Sequence, residues 1–198
     1  MTRFVALANI HFSLCDEARR KVEELGADYV LLLGGFAKCW RIVLSWRVLG
    51  INALEDDILA SKLLRRLGGY VAGKWLEPVK GVFVGGVDGA NPVQNLERLL
   101  ESFPGRPGVY IVLSRYPPCT GLCSRHRDLG LEFCIDELVE VVDRCSSEGP
   151  TVVAVGSFMH KACSDTWRGV RLFVVDSSPR RLLVIDVSEG SVDARLAE

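Results

Sequence analysis

Residues 4–35 read FVALANIHFSLCDEARRKVEELGADYVLLLGG, and their pattern decides the fold class. Phe4 to Ala8 is an apolar run of strand length. Ser13 and Asp16 have the spacing of a capping box, and Leu14, Ala18, Val22 and Leu25 then recur at helical intervals until Gly26 ends the face. Tyr29 to Leu33 is apolar throughout, as befits a strand covered on both sides. Strand, helix and strand make a parallel βαβ unit. Ligands of such sheets bind beyond the carboxyl ends of the strands, where this chain carries Asn9-Ile10-His11 and Gly34-Gly35.

The same alternation continues outward. Arg41 to Val48 is predicted as a third strand, and Asp57 to Leu67 as a helix closed by Gly68-Gly69. Residues 70–86 hold three short β-like pieces, YVAG, KWLEPV and GVFVGG, which the turn residues between them predict to be antiparallel. Asn91-Pro92 opens a helix whose inner face is Val93, Leu96, Leu100 and Phe103. Val109 to Leu113 and Thr151 to Val155 are strands, separated by a helix with Leu131, Ile135, Leu138, Val142 and Cys145 on its inner face. The tail, VRLFVVDSSPRRLLVIDV, is predicted as a hairpin around Ser-Ser-Pro. One domain over residues 1–198 is expected.

Composition narrows the classes. Of 198 residues, 48% are apolar and 25% charged, enough for a sizeable core. A net charge of −1 advertises neither a nucleic-acid nor a membrane partner. No stretch reaches the roughly 20 apolar residues of a membrane span, and the N-terminus lacks the plan of a signal peptide. A cytoplasmic location is the expectation. Asn and Gln number five together, and Arg outnumbers Lys by 18 to 6, which hints at a thermophilic source.

Five landmarks now fall in order at strand ends: Asn9-Ile10-His11, Gly34-Gly35 in LLLGGFAK, Gly50 in VLGINALED, VLSRYPP (Val112–Pro118), and VVAVGSFMH (Val152–His160). Together they resemble the calcineurin-like metallophosphoesterases, whose motifs are D-x-H, G-D, G-N-H-D, a His before Y-P-P, and G-H-x-H. The resemblance covers nearly the whole chain. It implies an α/β/β/α sandwich, two mixed β-sheets packed face to face with helices outside. It also implies a pair of metals about 3–4 Å apart that activate hydroxide and clamp phosphate.

Residue by residue, that site is dismantled. The first family Asp is Asn9, and its His survives as His11. The bridging Asp is Gly35. The Asn, His and Asp of the third motif fall on Ile51, Asn52 and Ala53. The His before Tyr-Pro-Pro is Arg115, and the last two His are Ser157 and Met159, with His160 one place away. Only His11 keeps a metal-ligand type, and no bridging carboxylate remains to offset the repulsion of two cations. Arg115, permanently charged and unable to ligate metal, would replace a cation, or bind a small anion such as phosphate together with Lys38. Alternatively it pairs with a nearby carboxylate and fills the cavity.

Other chemistry is thinner. Cys119, Cys123 and His126 lie close in sequence with Cys134 following, so a zinc knuckle, a local disulfide and plain thiols are all open, plain thiols being the expectation. No signature supports Cys119–His126 as a nucleophilic pair. GGVDGANP is Gly-rich before a helix but lacks the Lys-Ser/Thr of a phosphate loop.

Two functions are therefore expected. The first is a non-catalytic binding or scaffold subunit with a protein partner and no cofactor. Metal-less members of the family serve assemblies in this way, as the small subunits of replicative DNA polymerases do. The second is a phosphoesterase with a reduced site, in which Asn9, His11, Asn52 and His160 hold one weakly bound Mn or Zn, helped by Asp16, Glu55 or Asp56. A nucleic-acid role is not favoured, although Arg125 and Arg127 would supply a local basic face.

Overall fold

Strand β1 (Thr2–Leu7) is buried on both sides. Phe4, Ala6 and the following Ala8 enter one apolar layer, while Val5 and Leu7 enter another. That two-residue alternation is how a strand serves two interfaces at once. In the computed structural model, which describes residues 1–36, 39–56, 58–120, 122–157 and 159–198 (backbone alone at 60 and 122), the pattern repeats through both sheets.

The first sheet contains β1, β2 (Tyr29–Leu33) and β3 (Arg47–Ile51) in parallel, with β10 (Leu182–Ser188) antiparallel to β1 and β11 (Ser191–Ala197) outside it. The second runs β4-β5-β6-β7-β9-β8. Its members are β4 (Trp75–Val79), β5 (Val82–Val87), β6 (Val109–Ser114), β7 (Thr151–Gly156), β8 (Cys163–Trp167) and β9 (Val170–Val175). Strands β5, β6, β7 and β9 are parallel, and the two edge strands are antiparallel.

Ile111, Leu113, Leu31 and Leu33 belong to the layer between the sheets. Helices α1 (Cys15–Glu24), α2 (Trp40–Ser45) and α3 (Ile58–Arg66) cover the outside of the first sheet, and α4 (Pro92–Glu101) and α5 (Glu137–Glu148) that of the second. This is the expected α/β/β/α sandwich. Among the described residues no helix is long and apolar enough to cross a membrane.

Several expectations are corrected. Residues 40–45 are helix, and the third strand begins only at Arg47. Cys39, Ile42 and Val43 are buried with Trp46 packed beside them, a helical spacing within a run that reads as β. Residues 70–72 form isolated parallel bridges to Gly50 and Gly86 rather than an antiparallel strand. Val93 and Leu131 are exposed, and Asn95, Leu96 and Leu99 form the buried face of α4.

The tail is not a hairpin around Ser-Ser-Pro: residues 176–181 carry the chain from β9 in one sheet to β10 in the other. The hairpins lie on either side, β8–β9 and β10–β11, and turn at Arg168-Gly169 and Glu189-Gly190. All four turn residues have positive φ, the geometry that two-residue hairpins require.

The cysteines are the largest correction. Six pair as Cys15–Cys39, Cys119–Cys134 and Cys123–Cys163, leaving Cys145 free and buried. Cys134 precedes α5 instead of lying on it. All three bonds fall at the edge where the parallel strands end, since Cys163 stands opposite Val174 at the close of β9. Thiol titration in denaturant should find one thiol per chain without reductant and seven after reduction. Reduction should lower stability by about 2–4 kcal/mol per bond closed. Seven thiols without reductant would refute the pairing.

Candidate functional site

The loops after β1, β2, β3, β6, β7 and β9 converge at that edge, and Arg115, just past β6, reaches across it. Its side chain is only 6% exposed. One terminal nitrogen donates to Asn9 Oδ1 and to the Leu33 carbonyl, both at 3.0 Å, and the other donates to Glu55 Oε1 at 3.0 Å. Burial pulls the Arg115 pKa down, while Glu55 and Asp56 oppose that shift. A guanidinium loses its proton so reluctantly that it stays charged, so its acceptors are a requirement.

Asn9 bridges this cation and a backbone carbonyl, which an Asp could not do. Its Oδ1 accepts from Arg115, and its Nδ2 donates to the Asp176 carbonyl at 2.8 Å. The network fixes which end is which, and a carboxylate would set an oxygen against that carbonyl. The Asn9 backbone has φ 48°, a left-handed conformation that Asn tolerates. Gly35 packs directly against it: an added Cβ would lie 2.6 Å from Asn9 Oδ1 and 2.8 Å from its Cα. Position 35 therefore has no room for any side chain in this backbone.

Asp56 organises the second and third loops. Its carboxylate accepts from the backbone N–H groups of Gly35 (3.0 Å), Phe36 (2.8 Å) and Ala53 (2.7 Å). Burial raises its pKa, against the pull of these hydrogen bonds and of Arg115. Glu55, half exposed, closes over Arg115. Both acids are near the strand ends in sequence, but their partners, 20 and 60 residues away, are set by the fold. Asp16 is exposed in the first turn of α1.

The remaining positions disperse. His11 is exposed, and its Nδ1 lies 2.7 Å from Ser13 Oγ and accepts weakly from the Ser13 N–H. It caps a short 3-10 turn over Phe12–Leu14, so the capping group is His11 and not Ser13. Ile51 is part of the core between the sheets. Asn52 is buried; its Nδ2 donates to Ser61 Oγ at 2.7 Å, and its Oδ1 has no partner among the described residues. Met159 is half-buried and its carbonyl accepts from the Arg127 N–H. Lys38 lies outside the described residues.

His160 is 1% exposed and held at both nitrogens. Nε2 must donate to the Phe133 carbonyl (2.8 Å), so Nδ1 accepts from the Ser157 hydroxyl (2.8 Å). Its remaining lone pair is thus taken, and burial lowers its pKa, with His126 and Arg127 adding to the effect. Arg127 also donates to the His160 carbonyl and pairs with Asp176. Among the described residues no group of three or more His, Cys, Asp or Glu side chains is placed to hold a metal ion. Arg115 and Gly35, which the resemblance puts at ligand positions, offer no donor to a metal pair: a guanidinium does not ligate, and a glycine has no side chain.

Two measurements test this arrangement. Arg115→Met leaves Asn9, Leu33 and Glu55 without their donor and should cost about 3 kcal/mol in chemical denaturation. A loss under about 0.5 kcal/mol, the level of an ordinary surface change, would refute the clasp. For His160, the folded pKa lies below the unfolded value, so its contribution to stability is complete above that value. It is lost as pH falls from about 6.5 through the folded pKa. The melting temperature should fall over that window, and the fall should be smaller in His160→Gln.

No protein-family model matches this chain, and no characterised protein matches it in sequence. Its fold does match solved structures. One superposes with a TM-score of 0.68 over 98% of both chains at 9% identity. Another, a Staphylococcus aureus protein assigned as a 5'-nucleotidase, gives a TM-score of 0.56 at 9% identity. That match covers 98% of this chain and 53% of the nucleotidase. At such identities the likeness is one of fold alone.

Proposed function

We propose that this chain is a non-catalytic binding subunit built on a metallophosphoesterase-like fold, its metal centre replaced by the guanidinium of Arg115. The observation that carries the reading is the set of bonds from Arg115 to Asn9, Leu33 and Glu55. A fixed positive charge there offsets the partial negative charges that metals would otherwise neutralise, and it offers no open coordination position for a hydroxide. The missing general acid at Asn52 works in the same direction, since an amide cannot deliver a proton to a leaving group.

A binding role draws support from the rim of the same edge. Phe12, Trp40, Leu54 and Ile58 follow β1, β2 and β3 and are 50–70% exposed. Large apolar side chains grouped around one edge suit a protein partner. The loops that carry Phe12 and Trp40 are joined by Cys15–Cys39.

The test is metal content after incubation with excess Mn²⁺ or Zn²⁺ and desalting, in the native chain and in His11→Ala, with phosphomonoester and phosphodiester turnover measured alongside. Below about a tenth of an equivalent in both proteins, with no turnover above background, is the expected result. About one equivalent, lost with turnover in His11→Ala, would overturn the reading in favour of a reduced-site phosphoesterase.

A further inference from the structure

A second feature lies away from the Arg115 cluster. Residues 70–73 run between β3 and β5, bridging Gly50 at Tyr70 and Gly86 at Ala72. Beside them opens a cleft of about 340 Å³, lined by Arg65, Tyr70, Ala72, Gly73, Lys74 and Arg98. Its walls come from separate parts of the chain: the last turn of α3, the 70–74 segment, and the last turn of α4. Gly73 has φ 69°, and a Cβ there would come within 3.3 Å of Arg98 Cδ and 3.4 Å of Asn95 Cα. The segment thus lies close against α4, which sets Lys74 and Arg98 on the same opening.

Charge singles the cleft out. Three of its six lining residues are cations and none is a carboxylate. Ten arginines form ion pairs among the described residues, and neither Arg65 nor Arg98 is one of them; Lys74 has no such pair either. A protein of net charge −1 that pairs most of its arginines has concentrated unpaired cations here. Lys62 and Arg66, exposed on α3 at i,i+4 spacing, extend the positive field. Glu97 and Glu101 on α4 do not line the opening.

The back wall is fixed. The Arg65 guanidinium stacks over the Tyr70 ring at 3.7 Å from its centroid. The Tyr70 hydroxyl donates to the buried Asp88 carboxylate, which also accepts from the N–H groups of Ala90 (3.1 Å) and Asn91 (2.9 Å). The Asp88 N–H in turn donates to Asn95 Oδ1 at 2.9 Å. Asp88 thus holds three donors and does not line the cleft, so the cations face an opening without a counter-charge of its own.

We propose that this cleft binds the phosphate chain of a small polyphosphate-bearing molecule. Two guanidinium forks and an ammonium match several phosphate oxygens at once, and the volume falls in the range of small-ligand sites. The stacked Arg65 covers the tyrosine face, leaving no ring for a nucleobase to stack upon. A single bounded cleft suits a compact polyanion better than an extended strand. The site is distinct from the Arg115 clasp, and its occupancy does not depend on whether that clasp is inert.

Inorganic triphosphate is the probe, titrated calorimetrically into the full chain. It should bind, more tightly than orthophosphate, and weaken as NaCl rises from about 50 to about 200 mM. Arg98→Ala and Lys74→Ala, both surface changes, should each weaken binding about tenfold with the melting temperature unchanged. Lys80→Ala, a surface lysine outside the cleft, should leave it as it is. Absence of binding at about millimolar triphosphate would overturn the proposal. So would affinity that Arg98→Glu leaves intact, equal affinity for orthophosphate, or a single-stranded oligonucleotide bound without competition from triphosphate.

Discussion

A buried guanidinium must be met by acceptors on every side it presents, and that demand organises the edge of this sandwich. Arg115 leaves the second sheet at the end of β6 and finds its partners on the first: a carbonyl at the end of β2, an amide after β1, a carboxylate after β3. Asn9 returns the connection to the second sheet through the Asp176 carbonyl after β9. The two sheets are joined inside by apolar packing and at this edge by a polar clasp. Removing either partner would strand a charge or an amide in a poorly hydrated place.

Seen from that clasp, the neighbouring residues form one consistent set. A carboxylate at position 9 would lose the donor that Asp176 needs, and any side chain at position 35 would strike Asn9. Asp56, with both oxygens committed to backbone N–H groups, fixes the loops that carry Gly35 and Ala53. Ser157 and His160 satisfy each other and the Phe133 carbonyl without reaching the clasp. Asn52 Oδ1 is the exception: a buried polar atom with no partner among the described residues, for which the surroundings offer no physical account.

Much of the fold was legible because strand periodicity and glycine punctuation are local signals. Phe4–Ala8, Tyr29–Leu33, Val109–Leu113 and Thr151–Val155 stand out as apolar runs, and the landmarks at their ends gave the layer order. Trp40–Ser45 failed because a six-residue helix with three apolar positions in a row looks like a strand unless Cys39 and Trp46 are counted with it. The tail failed for a different reason: Ser-Ser-Pro marks a turn, but whether the chain turns back or crosses to the other sheet depends on the edge of β1 that β2 leaves free for β10. At the site, Asn9 and Arg115 stood out in the sequence as polar residues at strand ends. Glu55 as the partner of Arg115, and the cysteine pairing, were not, because both depend on which loops the completed fold brings together.

The three disulfides have a consequence for recognition. Cys15–Cys39 and Cys123–Cys163 each tie a loop of the clasp edge to another element and Cys119–Cys134 closes the β6–α5 loop on itself, whereas the opposite edge, where the strands begin, carries none. Loops at strand ends ordinarily sample many shapes, and a partner that selects one of them forfeits part of its affinity to the ordering. Here the ordering is completed during folding and oxidation, before any encounter. A surface set in advance in this way resembles a rigid die more than a closing hand: any partner it met would have to match its shape already, and near-matches would be rejected through its unwillingness to adjust.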